Sequence, residues 1–354
     1  MIKLLIVDDS ALMRRQLVSL FEAESDFEIR LARNGKEALE ENIAFQPDVI
    51  TLDINMPEMD GLTALSVLME ERPVAVVMVS SLTEKGALAT FEALALGAVD
   101  FVAKPGGTIS LSIDMIRQEV VSKVRAAARA KIKTARGLVT RIRTERSRIE
   151  KSPPPPVLVR RGIAGEGLVI IGVSTGGPRT LEDILPLLPA DFPWPVLVAQ
   201  HMPASFTLPF ANRMNDLCPL QVVEAARPMQ LEPGTIYVGK GGADMVVAKR
   251  AGKLTVLARP ETAEFLWHPS VELMGRSVIE HCDLSRVVGV MLTGMGYDGA
   301  DAFTDIKRKG GRTIAESEES SVVFGMPAEL IKRGGASVVL HATKIANQII
   351  AWTR

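Results

Sequence analysis

The first hundred residues alternate short apolar runs with longer stretches in which apolar residues recur every three or four positions. The short runs are too hydrophobic for a strand with one face in water, so they favour a parallel sheet covered on both sides. The longer stretches have helical spacing, and together the two patterns predict a doubly wound α/β domain over residues 1–105. The predicted strands are Ile2–Val7, Val49–Leu52, Ala75–Val79 and Phe101–Val102, and the predicted helices are Ala11–Glu24, Lys36–Phe45, Gly61–Glu71 and Thr83–Leu96.

A similar alternation returns after residue 165. Residues 166–354 are therefore predicted to form a second α/β domain with its own parallel sheet. Its predicted strands are Leu168–Val173, Val196–Ala199, Ile236–Val238, Val287–Leu292 and Val338–Leu340.

Residues 106–165 have a different texture and are predicted to link the two domains. Within 111–161 there are 14 Lys and Arg residues against 4 Asp and Glu residues. Apolar residues recur there at helical spacing, which predicts a long basic helix with a thin apolar stripe that ends at Pro153–Pro156. The segment is interpreted either as a solvated linker or as a helix that binds an acidic partner or a second copy.

Composition narrows the classes of function. The whole chain has a net charge of −1 and 5% aromatic residues, so neither a general attraction to DNA nor a base-stacking surface is expected. Its two cysteines exclude a disulfide framework and a cysteine-rich zinc site. Because no apolar run is long enough to span a bilayer and no signal peptide opens the sequence, we expect a cytoplasmic protein without membrane insertion.

Three carboxylates follow predicted strands of the first domain. Asp8 and Asp9 come directly after the first strand, and Asp53 follows Val49–Leu52. Strand ends at one edge of a parallel sheet converge, and clustered carboxylates need a cation such as Mg²⁺. Ser80 and Lys104 end two further strands, so the set predicts a phosphoryl-acceptor site. The alternative for Asp8 and Asp9 is a helix-capping role.

Residues 1–105 resemble the response-regulator receiver family in several short motifs. These are Asp8-Asp9-Ser10, Leu52–Pro57, Asp60-Gly61, Ser80 and Lys104-Pro105. The resemblance implies that a histidine kinase phosphorylates Asp53. It also implies that Asp8, Asp9, Asp53 and the backbone carbonyl of Asn55 hold Mg²⁺, and that Ser80, Phe101 and Lys104 relay the change.

Ser174 lies on a glycine-rich turn between a predicted strand and a predicted helix. The stretch Gly172–Pro178 fits the pattern G-x-S-x-G together with the strand–turn–helix context that this motif requires. The free N–H groups at the start of a helix favour a developing negative charge. Ser174 is therefore predicted to be a nucleophile.

A nucleophilic serine needs a base and an orienting carboxylate. His201 directly follows a strand end, as Ser174 does, and is the favoured base. His268 is a competitor, whereas His281 and His341 lie in less constrained positions. Asp298, on the glycine-rich loop after Val287–Leu292, is the candidate orienter, although a turn-forming Asp-Gly is its simpler interpretation.

The second domain resembles the catalytic domain of chemotaxis-type protein-glutamate methylesterases. The matching stretches are Gly172–Pro178, Gln200–Pro203 with Phe206-Thr207, Leu292–Gly299 and Ser320–Pro327. The resemblance implies a triad of Ser174, His201 and Asp298, an oxyanion site at the Met295 N–H with Thr175 close by, and no metal in the esterase step. The chain departs from the family pattern at Tyr297, at Glu272 and near Asp244, where a histidine is absent.

The resemblance implies a phosphorylation-activated enzyme that hydrolyses glutamate γ-methyl esters on a methyl-accepting chemoreceptor and also deamidates glutamine. A monomer or weak dimer, served by a chemotaxis histidine kinase, is expected. The first alternative is a phospho-regulated binding protein with a vestigial site. The second, a DNA-binding response regulator, has only the basic segment in its favour, because no helix-turn-helix pattern follows it.

Overall fold

The computed structural model describes residues 1–81, 83–104, 109–130, 132 and 167–353. The chain separates into two compact units, Met1–Arg161 and Gly162–Arg354, which are described one at a time below. Most of the predicted basic linker, including Pro153–Pro156, lies outside the described residues. No described helix is both long enough and apolar enough to cross a membrane.

The first unit is a five-stranded parallel sheet in the order β2-β1-β3-β4-β5. This is the flavodoxin-like order. Its topological switch point, where the order in which strands are added reverses, lies between β1 and β3. Its strands are β1 (Ile2–Val7), β2 (Phe27–Ala32), β3 (Val49–Asp53), β4 (Ala75–Ser80) and β5 (Asp100–Ala103), and its helices are α1 (Ala11–Glu22), α2 (Gly35–Ala44), α3 (Gly61–Glu71), α4 (Glu84–Leu96) and α5 (Ile109–Ala128).

Sequence explains most of these elements. The central strands β3 and β4 are buried along their whole length, as their continuous apolar runs predicted. Each of the first four helices begins at a polar residue whose side chain accepts a backbone N–H of the first turn, which satisfies a group that the helix leaves unpaired. These capping residues are Ser10, Asn34, Asp60 and Thr83.

Strand β2 was not predicted. It lies at the edge of the sheet, paired on one side with β1, and most of its residues are partly or fully exposed. Its sequence therefore has charged residues among the apolar ones and lacks the continuous apolar run that identified β1 and β3.

Helix α5 lies in the range that the sequence assigned to the linker, and it packs against the first sheet. Val120, Val121 and Val124 are buried. Lys123 donates to the carbonyl of Phe101 at 2.8 Å, and Arg125 pairs with Asp26 at 2.6 Å. The apolar stripe seen in the sequence thus covers the receiver-like sheet over these residues.

The second unit contains a seven-stranded parallel sheet in the order β15-β14-β13-β6-β7-β10-β8. The prediction of two α/β domains with parallel sheets is confirmed. The strands are β6 (Leu168–Val173), β7 (Val196–Gln200), β8 (Gln221–Ala225), β10 (Thr235–Gly239), β13 (Val287–Met291), β14 (Arg312–Glu316) and β15 (Val338–Leu340). The helices are α6 (Gly177–Ile184), α7 (Ala204–Leu217), α8 (Val271–His281), α9 (Ala300–Arg308), α10 (Met326–Lys332) and α11 (Ala342–Thr353).

A small antiparallel sheet, which the sequence did not predict, joins this unit. It consists of β9 (Met229–Gln230), β11 (Ala243–Arg250) and β12 (Lys253–Pro260). Helix α8 follows it and packs on β11, where the Ser277 hydroxyl accepts the Val247 N–H at 2.9 Å.

The three middle strands of the large sheet are β13, β6 and β7. Ser174 and His201 directly follow β6 and β7, and Thr293 is the second residue after β13. The sheet order therefore brings together residues that are more than a hundred positions apart in the chain, at the edge where open parallel sheets bind ligands.

Candidate functional site

The acidic residues of the first unit form one cluster at the carboxyl ends of β1 and β3. Carboxylate oxygens of Asp8, Asp9 and Asp53 all lie within 4.8 Å of one another. The ammonium group of Lys104, which follows β5, is 2.9 Å from Asp8 Oδ2 and 2.8 Å from Asp53 Oδ2. Asp8 and Asp53 are buried, whereas Asp9 is exposed.

In this cluster, burial and hydrogen bonding act on the pKa values of Asp53 and Lys104 in opposite directions. Burial raises the pKa of Asp53 above its ordinary value, although the hydrogen bond from Lys104 opposes the shift. Burial alone would lower the pKa of Lys104, but its hydrogen bonds to Asp53 and Asp8 outweigh that effect and raise it. Oxygen ligands at this spacing, one of them open to water, are what a hard divalent cation such as Mg²⁺ requires. The donor set therefore fits the expected metal.

The other predicted residues of the first unit lie around the cluster. Ser80 ends β4, and its buried hydroxyl donates to the Gly86 carbonyl in helix α4 at 3.1 Å. Its own carbonyl accepts the Lys104 N–H at 2.6 Å. Phe101 is buried within β5, and Asn55 lies exposed two residues after Asp53. The sheet thus places Ser80, Phe101 and Lys104 on two adjacent strands.

In the second unit, Ser174 is the first residue after the central strand β6. Its N–H donates to the Thr293 carbonyl at 3.0 Å, and the N–H of His201 donates to the Val173 carbonyl at 3.1 Å. These bonds continue the sheet pairing past the strand ends on both sides of the serine. Gly294 lies so close that a β-carbon added there would be 2.7 Å from the β-carbon of Ser174.

Gln200, the last residue of β7, is a buried link that the sequence did not single out. Its Nε2 donates to the Ser174 carbonyl at 3.1 Å and to the His201 carbonyl at 3.0 Å. One side chain therefore fixes the backbone of both residues. The sequence offered only its position next to His201 as a signal.

His201 and Asp298 form the pair that the sequence predicted. His201 Nε2 lies 2.8 Å from Asp298 Oδ2, and both side chains are almost completely buried. The second ring nitrogen, Nδ1, is buried and has no hydrogen-bond partner among the described residues. The ring of Trp267 stacks on the imidazole, with 5.7 Å between centroids and 5° between planes.

The first turn of helix α8 holds Asp298 in place. Its Oδ2 accepts the Val271 N–H at 2.7 Å, and its Oδ1 accepts the Glu272 N–H at 2.9 Å and the Ser270 hydroxyl at 3.1 Å. Burial would raise the pKa of Asp298, but the hydrogen bond from His201 and these backbone donors outweigh it and hold the pKa below its ordinary value. The carboxylate is therefore fixed and charged at neutral pH.

Thr293 joins the serine turn to the loop after β13. Its hydroxyl donates to the Thr175 carbonyl at 2.9 Å and accepts the Val323 N–H at 3.0 Å. Its N–H donates to Oε2 of Glu316, a completely buried carboxylate, at 2.8 Å. Sequence reasoning missed Glu316, because a single glutamate at the end of an unrecognised strand gives no signal.

The predicted oxyanion residues lie beside this link. Met295 follows Gly294 in the loop, and its N–H has no backbone hydrogen-bond partner in the part of the chain that the structure describes. The hydroxyl of Thr175 is buried and likewise lacks a partner among the described residues. Both are donors that remain available for a substrate oxygen.

The competing histidines bind elsewhere. His268 Nδ1 lies 2.9 Å from Asp244, which also accepts the Ser270 N–H at 2.8 Å. The chain lacks the histidine that the family pattern has near Asp244. In the structure His268, 24 positions away in the sequence, contacts that carboxylate instead. His281 ends helix α8, and His341 bonds to Thr343. Glu272, another of the three departures, accepts the Ala302 N–H at 2.9 Å.

Comparison with known proteins gives consistent matches along the chain. The CheB methylesterase family profile matches residues 169–349, and the response regulator receiver domain profile matches residues 4–114. A protein-glutamate methylesterase/protein-glutamine glutaminase of Rhodospirillum rubrum is 57% identical over 99% of this chain and 96% of its own length. One from Rhodopseudomonas palustris is 53% identical, over 99% of this chain and 98% of its own. The crystal structure of the Thermotoga maritima CheB methylesterase catalytic domain, 37% identical, superposes with a TM-score of 0.51 over 53% of this chain and 98% of that one.

Proposed function

The chain belongs to the CheB methylesterase family, the protein-glutamate methylesterases that carry a receiver domain, and on this premise we propose how its two sites work. The second unit hydrolyses γ-methyl esters of glutamate on a methyl-accepting chemoreceptor and releases methanol during chemotactic adaptation. The same site deamidates glutamine side chains and releases ammonia. The first unit controls this activity through phosphorylation of Asp53 by the histidine kinase of the pathway.

The observation that carries the esterase assignment is the use of the two nitrogens of His201. Nε2 is engaged by Asp298, so Nδ1 is the nitrogen left to act on the serine. Ser174 follows β6 and His201 follows the adjacent parallel strand β7, so we place the base beside the serine. The charged Asp298 stabilises the imidazolium that forms when Nδ1 takes a proton.

The reaction then follows in two steps. Ser174 Oγ attacks the ester carbonyl carbon, and its proton passes to His201 Nδ1. The carbonyl oxygen becomes an oxyanion, which the Met295 N–H and Thr175 hold. The tetrahedral intermediate collapses, and His201 gives the proton to the departing methanol. Water, deprotonated by His201, attacks the acyl-enzyme, and the serine recovers its proton as the glutamate leaves. Each oxyanion donor contributes about 3 kcal/mol of transition-state stabilisation.

In the receiver unit, Asp53 is the phosphoryl acceptor. Asp8, Asp9 and Asp53, with the backbone carbonyl of Asn55, would hold Mg²⁺, which neutralises charge on the phosphoryl group when bound. Lys104 neutralises a further charge and leaves its ion pair with Asp53 once that carboxylate is phosphorylated. Because Lys104 and Ser80 are joined through the backbone, a shift of the lysine reaches β4 and Phe101 on β5.

Methanol release from methylated receptor membranes tests both parts. We expect release by the wild type, stimulation by acetyl phosphate, no release by Ser174→Ala, and no stimulation in Asp53→Ala. Absence of release in the wild type would favour the alternative of a phospho-regulated binding protein. Release that ignores the phosphodonor would leave the esterase in place and remove the proposed role of Asp53.

A further inference from the structure

Two large exposed hydrophobic side chains belong to residues that adjoin the aromatic stack at His201, one next to Trp267 in the sequence and one in contact with its ring. Leu266 is 68% exposed and Tyr297 is 52% exposed. Trp267, the residue after Leu266, stacks on His201 and meets the Tyr297 ring edge-on, with 5.4 Å between centroids and 86° between planes. We call Leu266, Trp267 and Tyr297 the aromatic rim. Single exposed apolar residues are ordinary, but a cluster that is continuous with a catalytic histidine is not.

The position of the rim is built into the backbone. Gly296 has φ +87°, and a β-carbon there would lie 2.9 Å from the Trp267 ring. Trp267 therefore packs directly on the loop that carries Met295, Tyr297 and Asp298. The next residue, His268, pairs with Asp244 at 2.9 Å, and that carboxylate also accepts the N–H of Ser270, whose hydroxyl donates to Asp298. The rim is thus a fixed feature and not a loose loop.

Geometry places the substrate backbone near this rim. The ester carbonyl carbon of a methylated glutamate is only three bonds from its own α-carbon. When that carbonyl reaches Ser174, the neighbouring residues of the substrate stay within about one side-chain length of the site mouth. Tyr297 lies between the oxyanion residue Met295 and the triad residue Asp298, so it borders the same mouth.

We propose that Leu266 and Tyr297 are specificity-determining residues, which contact apolar side chains of the substrate protein next to the esterified glutamate, with Trp267 as their rigid support. The proposal rests on the proposed function. Tyrosine is common at the centres of binding surfaces because it buries a large area with little loss of conformational freedom. Charged residues also occur near the rim in the sequence: Glu264, two residues before Leu266, is 70% exposed and pairs with Arg276, whose side chain is 54% exposed. An apolar centre with a polar border is the usual organisation of a protein-binding surface.

The test compares a protein substrate with a small one. Methylated receptor membranes and N-acetyl-glutamate γ-methyl ester amide serve as probes, and kcat/KM is measured on each. We expect Tyr297→Ala and Leu266→Ala to lower the ratio of receptor to small-ester kcat/KM about tenfold each, through KM for the receptor. Tyr297→Phe should keep most of the ratio, because the contact is apolar.

Leu187→Ala is the matched control. Leu187 is 51% exposed and lies beyond the C-terminal end of helix α6, whereas the N-terminal end of that helix adjoins Ser174. Truncation of Leu187 should therefore leave the ratio of the two kcat/KM values at the wild-type value. An unchanged ratio in Tyr297→Ala, or an equal loss on both substrates, would overturn the proposal. If the wild type hydrolyses neither substrate, the esterase itself fails. Co-sedimentation of Ser174→Ala with receptor membranes, with and without Tyr297→Ala, then decides the rim on its own: weaker sedimentation supports it and equal sedimentation rejects it.

Discussion

The receiver unit and the catalytic unit both place a buried aspartate at the carboxyl edge of a parallel sheet, but they compensate its charge differently. Asp53 is compensated by the Lys104 ammonium group and by one backbone N–H, that of Ile54 at 2.8 Å, and burial still raises its pKa. Asp298 depends on two backbone N–H groups, a hydroxyl and a histidine, and its pKa falls below the ordinary value. One carboxylate is only partly compensated, and the other is fully compensated.

The difference matches what the proposed function requires of each site. A phosphoryl acceptor must react, change charge and release its lysine, so a movable side-chain cation suits it. An orienting carboxylate must stay charged in one position while a proton moves on its partner histidine, so fixed backbone donors suit it. In the proposed function, the same sheet edge serves as a switch in one unit and as a rigid catalytic support in the other.

The largest effect that separates the two sites should come from Asp298→Asn. The amide would turn N–H donors towards the Val271 or Glu272 N–H groups and would favour the wrong histidine tautomer. We expect kcat for methanol release to fall about 10³–10⁴-fold. Asp305→Asn on the exposed face of α9 is the control and should retain full activity. A loss of less than tenfold would mean that Asp298 is not the orienter.

Removal of Lys104 is the next largest change. In Lys104→Met, two buried carboxylates face each other without a cation, which we expect to cost the receiver unit about 2–3 kcal/mol in EDTA. Added Mg²⁺ should recover much of this loss if the acidic cluster binds it. Unfolding followed by calorimetry gives both values.

The control for that experiment is Lys36→Met. Lys36 pairs with Glu58 at 3.3 Å, but both side chains are more than half exposed. Such a pair contributes about 0–1 kcal/mol, and Mg²⁺ should not alter its effect. Equal Mg²⁺ responses in the two variants would argue against a metal site at Asp8, Asp9 and Asp53.

A smaller effect, of opposite sign at the two sites, should follow from replacing each carboxylate with an amide. Because burial makes the charge of Asp53 unfavourable, Asp53→Asn should stabilise the receiver unit by about 1 kcal/mol in EDTA. Asp298→Asn should destabilise the catalytic unit by about 2–3 kcal/mol, since buried donors lose their acceptor. Both variants destabilising equally would remove the contrast. All three tryptophans lie in the second unit, so their fluorescence reports that unit alone.

The smallest effect is the pH dependence of these differences. The lowered pKa of Asp298 means that its stabilising contribution is present above the ordinary value of 3.8 and is lost as the pH falls through the folded-state pKa. The raised pKa of Asp53 means that its unfavourable contribution is complete at neutral pH and disappears as the pH falls towards 3.8. Urea unfolding should be measured from pH 7 to pH 4. As the pH falls, the free energy of unfolding of the wild type should rise relative to that of Asp53→Asn and should change little relative to that of Asp298→Asn.

Local sequence was enough to identify the central strands, the serine turn and the two residues that follow adjacent strands, Ser174 and His201. Each of these signals is contained in a few consecutive residues, because a continuous apolar run or a glycine-rich turn constrains the backbone locally. The edge strand β2 and the antiparallel hairpin β11–β12 gave no such signal, since most residues of β2 are partly or fully exposed and β11 is buried only over residues 244–247.

Only the tertiary structure decided which atoms of these groups meet and which carboxylate the competing histidine contacts. Asp298 pairs with His201, which is 97 positions away in the sequence, whereas Asp244 pairs with the competing His268. Thr293 reaches Thr175 across 118 positions, and Trp267 stacks on His201 from another segment. Such pairings depend on strand order and on which donors remain unsatisfied after the sheet has formed, and neither is contained in a local stretch of sequence. The sequence by itself therefore determined the candidate groups, and the order of strands β13, β6 and β7 determined their partners.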